Sequence, residues 1–139
     1  MSVQRSKVLS KPPQRHGAAM IEFAICMPIF FLITMGTIET CHMIYLRQSL
    51  KIAAYESARL GIVPEMKRET LQDQCDVILQ RRNIRGYRFT CSPADPRSLE
   101  YGEFFTTRVQ APASENALVG NWFYKNKLFS ESVSIMAEH

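Results

Sequence analysis

No acidic residue precedes Glu22, no charged residue lies between Phe23 and Ile38, and the 139-residue chain has only 3 His and 1 Trp. Each absence excludes something. The histidines, His16, His42 and His139, are scattered from one end of the chain to the other, so none is placed to serve a nucleophile or join a metal cluster in the C-terminal half. CxxC pairs, HExxH, GxSxG, glycine-rich phosphate loops and EF-hand loops are all missing. The carboxylates of the C-terminal half, Glu65, Glu69, Asp73, Asp76, Asp95, Glu100 and Glu103, are interspersed with Arg and Lys as on a solvated surface. The expectation is a protein that is no enzyme and takes no cofactor and no metal.

Charge is distributed unevenly. Of the 17 Lys and Arg, only Arg5, Lys7, Lys11 and Arg15 precede Gly17, while all 13 Asp and Glu follow it, so the formal +4 belongs to the N-terminal arm. A short basic tract directly before an apolar run reads as a cytoplasmic topology signal. Nucleic-acid binding is not expected, because no aromatic residues interleave the arm and no reading motif follows.

The run from Ala18 to Leu46 decides the class. Its uncharged centre has Thr34, Thr37 and Cys26 as its only polar side chains. About 20 residues of helix rise ~30 Å, the hydrocarbon thickness of a bilayer. A cleaved secretory signal would end in a small-x-small exit, but the run leaves through Gly36, Thr37, Ile38 and Glu39. A lipoprotein signal would place small residues just before a cysteine, and neither Cys26 nor Cys41 has them. A buried core helix would find too little apolar partner surface elsewhere. The expected arrangement is a leader over 1–17, a long helix over 18–62 that spans the membrane over about 18–42, and an extracytoplasmic head over 65–139.

After Glu39 the helix pattern becomes one-sided, with Met43, Leu46, Leu50, Ala53, Ala54 and Ala58 on one face and Gln48, Lys51, Tyr55 and Arg59 opposite. Gly61 and Pro64 supply a stop. Leu71, Cys75, Ile78 and Leu79 predict a second helix over 67–82, closed by Asn83 and Gly86. The period then becomes two: Tyr87, Phe89 and Cys91, then Phe105, Thr107 and Val109, then Val133, Ile135 and Ala137. A short covering helix is expected around Leu118, Trp122 and Phe123. The fold class is α+β, with a long N-terminal membrane-spanning helix extending into a small head of one or two helices and a short antiparallel sheet.

A head of this size is marginal on its core alone. Cys75 and Cys91 each fall on the apolar face of their element, and a disulfide between them would contribute roughly 3 kcal/mol. The alternative is two buried free thiols. The small residues Ala53, Ala54, Ser57, Ala58 and Gly61 suit either close packing with neighbouring helices or docking of the head onto its own helix.

Glu22 is out of place, because a carboxylate inside a spanning helix costs a few kcal/mol. Either it stays near the interface, or, after cleavage behind Gly17, the new amine of Ala18 on one chain pairs with Glu22 of a neighbour.

A short basic leader ending in Gly17 and followed by Ala18-Ala19-Met20-Ile21-Glu22-Phe23 resembles a type IV prepilin processing site, with glutamate as the fifth mature residue. The continuation, Glu22-Phe23-Ala24, Pro28, Gly36 with Glu39, and Ala53-Ala54-Tyr55-Glu56-Ser57-Ala58-Arg59, is similar to the TadE-like pseudopilins of the tight adherence (Flp) pilus system. The resemblance covers residues 15 to about 62. It departs at His16, where arginine is common, and at Thr40, Cys41 and His42, where a Phe-Gly-Arg type of sequence is usual. It implies a pilin-like fold and a single-pass protein of the bacterial inner membrane, with its N-terminus cytoplasmic and its head periplasmic. A prepilin peptidase would cut after Gly17, leaving Ala18 as the mature N-terminus and using Glu22 and Phe23 for recognition. Glu22, Pro28, Gly36, Glu39, Ala54, Ala58 and Arg59 would form the assembly helix. Implied partners are the peptidase, other pilins and pseudopilins, including a hetero-oligomer with a related pseudopilin, and the assembly platform. The rival reading is an uncleaved single-span protein that displays a binding head.

Overall fold

The computed structural model describes residues 16–120 and 122–137, so the basic leader lies outside the described residues. The chain falls into two units, Met1–Thr34 and Met35–His139. The helix α1 (His16–Gly61) contributes to both.

In the first unit α1 is apolar on every side. Met20, Ile21, Phe23, Ile25, Ile29, Phe30 and Phe31 are each more than half exposed. A helix that seeks a protein core concentrates its apolar residues in a stripe, and this one does not. Pro28 stays inside the helix, as membrane helices allow. The hydroxyl of Thr34 donates to the carbonyl of Phe30 at 2.8 Å, satisfying itself within the helix.

In the second unit the burial of α1 becomes periodic. Glu39, Met43, Leu46, Leu50, Ala53, Ala54, Ser57 and Ala58 are buried, whereas Gln48, Lys51, Tyr55 and Arg59 are exposed. These steps of three and four residues put the buried set on one face. Arg59 lies in the last turn, where a cation favours the helix dipole. The amide of Val63 then donates to Leu60 at 3.1 Å, and Pro64 prevents a further turn.

The second helix, α2 (Arg68–Arg81), buries Leu71, Cys75 and Leu79. It closes in a Schellman arrangement, with Asn83 N–H donating to Gln80 O at 2.9 Å and Ile84 N–H to Leu79 O at 3.0 Å. Asn83 takes the left-handed conformation that this cap needs, at φ 55°. Ile84, buried beyond the cap, packs in the same core cluster as Leu79.

Three strands, β1 (Arg88–Ser92), β2 (Phe104–Pro112) and β3 (Leu128–Met136), form an antiparallel sheet with β2 in the middle. Cys91 pairs with Thr107, and Thr107 pairs with Val133. The period of two turns Phe105, Thr107, Val109 and Ala111 inward, where all are buried. They pack with the apolar face of α1 in two clusters, one around Leu46, Leu50, Ala53 and Ala54 and the other around Ala58, Leu71 and Phe105. The Thr107 hydroxyl, on the inward face of the sheet, is satisfied: it donates to Ala54 O at 2.6 Å. Arg47 and Glu131 form an ion pair between α1 and β3.

The connection between β2 and β3 differs from expectation. Its helix is one short turn, α3 (Ala113–Asn116), and among the described residues no helix covers the head at Leu118, Trp122 and Phe123. Asn116 anchors the connection, its Oδ1 accepting from the Arg85 amide and its Nδ2 donating to Arg85 O and Pro112 O, each at 2.9 Å. Beyond it Gly120 takes φ 133°. The Trp122 amide turns back onto Gly120 O at 2.8 Å, which ends any helical path.

Candidate functional site

The residues singled out in the sequence lie along α1 in three surroundings. Gly17, Ala18, Glu22, Phe23 and Pro28 are exposed. A side chain added at Gly17 would meet nothing within 4 Å. Glu22 stands among exposed apolar residues, with Ile21 at 64 % and Phe23 at 59 % of full exposure. An 18-residue window of this helix has a mean hydropathy of 2.1 and is 0 % buried. Soluble monomers rarely expose so much contiguous apolar surface. By length and composition α1 is long and apolar enough to cross a membrane, the one such helix among the described residues, which suggests a single-pass membrane protein.

Gly36 and Glu39 lie where the apolar run ends. The ring of Phe123 covers Gly36, 3.5 Å from where a Cβ would sit. Glu39 is buried at 1 % exposure, and its Oε2 accepts from the amides of Leu118 at 3.3 Å and Val119 at 3.1 Å. Its Oε1 is buried without a partner. One turn on, Thr40 Oγ1 lies 3.3 Å from the Tyr124 hydroxyl. The β2–β3 connection is thus fastened to α1 at the end of its apolar run. The sequence marked Glu39 but not its partners, since backbone amides carry no sequence signature. A lone carboxylate closing an apolar run was the available hint.

Ala54 and Ala58 have the third surrounding. Both are fully buried, and the surface they would offer a neighbouring helix is already covered by the head. Gly61 is the extreme case, because a Cβ there would fall 2.0 Å from Phe105 Cε1. Small residues on this face let the sheet and α2 approach α1, as head docking requires. Arg59 stays exposed.

The structure does not support the expected disulfide: it holds Cys75 and Cys91 as free thiols, as it does Cys26 and Cys41. The two thiols belong to different parts of the core. Cys75 packs with Ala53, Ala54 and Leu79, whereas Cys91 packs beside Ala58, Leu71 and Phe105. The Cys91 thiol lies 3.7 Å from Ala94 O as its donor. Burial, reinforced by Asp76, pushes the Cys75 thiol up to about 12, with Ser57 opposing the shift. Burial also raises Cys91, against the opposing charge of Arg68. Neither thiol has the electropositive, exposed setting of a reactive cysteine. Among the described residues no group of His, Cys, Asp and Glu is arranged to hold a metal.

A single apolar helix whose far half is wrapped by a small α+β head defines a pilin-like protein. The family model described as TadE-like protein matches residues 17–59, and over that segment the chain is TadE-like. The general role of that family is in the tight adherence pilus. No curated protein and no solved structure matches the chain.

Proposed function

We propose that the chain is a pilus-assembly pseudopilin, cut after Gly17 by a prepilin peptidase at the cytoplasmic face of the bacterial inner membrane and held there with its head in the periplasm. The observation that carries this reading is the coincidence of the TadE-like segment, residues 17–59, with one helix, His16–Gly61. Gly17 is exposed in the first turn of α1, and Glu22 stands five residues beyond it on an apolar helix. Cleavage gives Ala18 a cationic amine, and pairing with Glu22 of a neighbouring chain removes the cost of a carboxylate in lipid. The protein acts by packing and not by catalysis. Its partners are other pilins, a related pseudopilin and the assembly platform. With Ala54 and Ala58 enclosed by the head, the surface left for assembly is the apolar N-terminal part of α1 and exposed residues such as Arg59.

Deleting the gene from its host and restoring it tests the role. Loss of tight-adherence filaments on deletion, with recovery by the wild-type gene, is the expected result. Filaments unchanged by deletion would overturn the role and leave the uncleaved anchor with a binding head as the better account. Normal assembly with Glu22→Ala would overturn the pairing.

A further inference from the structure

At the level of α1 where the apolar run closes, the β2–β3 connection presents a second apolar surface. Leu118 and Trp122 are 64 % and 84 % exposed, and Val119 and Phe123 are exposed too. The connection is held there from inside. The Leu118 and Val119 amides are spent on Glu39, and the Phe123 ring rests over Gly36. The side chains of Leu118, Val119 and Trp122 are left exposed, as are Met35 and Ile38 on either side of Gly36 in the sequence. Cations border the patch: Lys127 lies over the rings of Tyr124 and Phe129 at 5.7 Å and 5.5 Å. A cleft next to Leu118, about 230 Å³, is lined by His42, Arg82 and Arg85 together with Glu115.

We propose that this connection is a membrane-interface anchor: Leu118, Val119, Trp122 and Phe123 enter the outer headgroup and upper acyl region of the bilayer that α1 crosses. The occupant is lipid because Phe123 packs on Gly36 of α1, between the exposed apolar residues Met35 and Ile38 in sequence, where the apolar run closes. Aromatic residues with basic neighbours are also what settles at a bilayer interface. Glu39, at the same level, is shielded from lipid by the connection and bonded to its amides. The head then rests on the membrane surface.

The inference rests on α1 spanning the bilayer, and the test reads the two separately. Trp122 is the chain's only tryptophan, so the emission of the full chain reports this site alone. The chain is reconstituted into phosphatidylcholine and phosphatidylglycerol vesicles with bromine on the upper acyl chain, and flotation of the vesicles reports the span. Floating protein should lose most of its Trp122 emission to the bromine and resist quenching by aqueous acrylamide. As a reference, Tyr101→Trp in a Trp122→Phe background puts the probe beyond the opposite end of β2, nine residues or roughly 30 Å away. That probe should stay unquenched by lipid. Floating protein whose Trp122 is open to acrylamide and unaffected by bromine would overturn the anchor while leaving the span intact. Equal bromine quenching of both probes would also overturn it.

Discussion

The buried carboxylate of Glu39 accepts a 3.1 Å hydrogen bond from the backbone amide of Val119, joining α1 to a residue 80 positions further along the chain. With the neighbouring bond from Leu118, it is what holds the β2–β3 connection against the helix.

Replacing that carboxylate should free the connection. Glu39→Ala leaves two amides without an acceptor, at about 1–3 kcal/mol for each that stays out of water. The expected result is faster hydrogen exchange at Leu118 and Val119, with the amides of β2 unchanged. Unchanged exchange at those two amides would show that the connection is held by something else.

The enclosed face of α1 predicts a contrast between neighbours. Ala58 is fully buried and Arg59 is exposed. Ala58→Leu overfills the space beside Leu71 and Phe105 and should cost about 1–3 kcal/mol, read as a lower Tm in a thermal melt. Gly61→Ala should act in the same direction. Arg59→Ala should stay within about 0.5 kcal/mol of wild type, so an assembly defect in that variant reports a lost contact and not an unfolded head.

The thiols give a chemical test. In a Cys26→Ser, Cys41→Ser background, maleimide should leave Cys75 unmodified in the folded chain and label both Cys75 and Cys91 after denaturation without reductant. A disulfide-linked peptide pair by mass spectrometry would contradict the free thiols of the structure.

Stability should also fall at alkaline pH. The Cys75 thiol is raised to about 12 in the folded chain, mainly by burial, so the folded state keeps its proton more tightly than the unfolded state. The stabilisation is complete below the ordinary thiol value near ~8.5 and is withdrawn as pH climbs from there to about 12, at up to about 1.4 kcal/mol per pH unit. Tyr87, also raised to about 12 by burial and Asp76, adds in the same direction. Chemical denaturation between neutral pH and pH about 11 should show this decline, and Cys75→Ala should reduce it.

Much of the fold was legible because single elements carry periodic signals. The steps of three and four from Met43 to Ala58 marked the buried face of α1, and Leu71, Cys75 and Leu79 marked that of α2. The start of β3 was not legible. Its first half, Leu128 to Ser132, is serine-rich and has little alternation, and what defines it is the ladder from Phe129 opposite Ala111 to Ile135 opposite Phe105. The covering helix expected at Leu118 to Phe123 lost to Gly120 and to the pull of Glu39 on two amides. The alanines of α1 were ambiguous in sequence, since small residues permit close approach by any partner. In the structure the head packs on that face.

The central proposal, that this chain is a processed element of a pilus machine, is tested most directly by the mass of its N-terminus. Protein purified from its host should begin at Ala18 when the prepilin peptidase is present and keep its leader when the peptidase gene is deleted. A chain that retains residues before Gly17 in a peptidase-competent host would contradict the account.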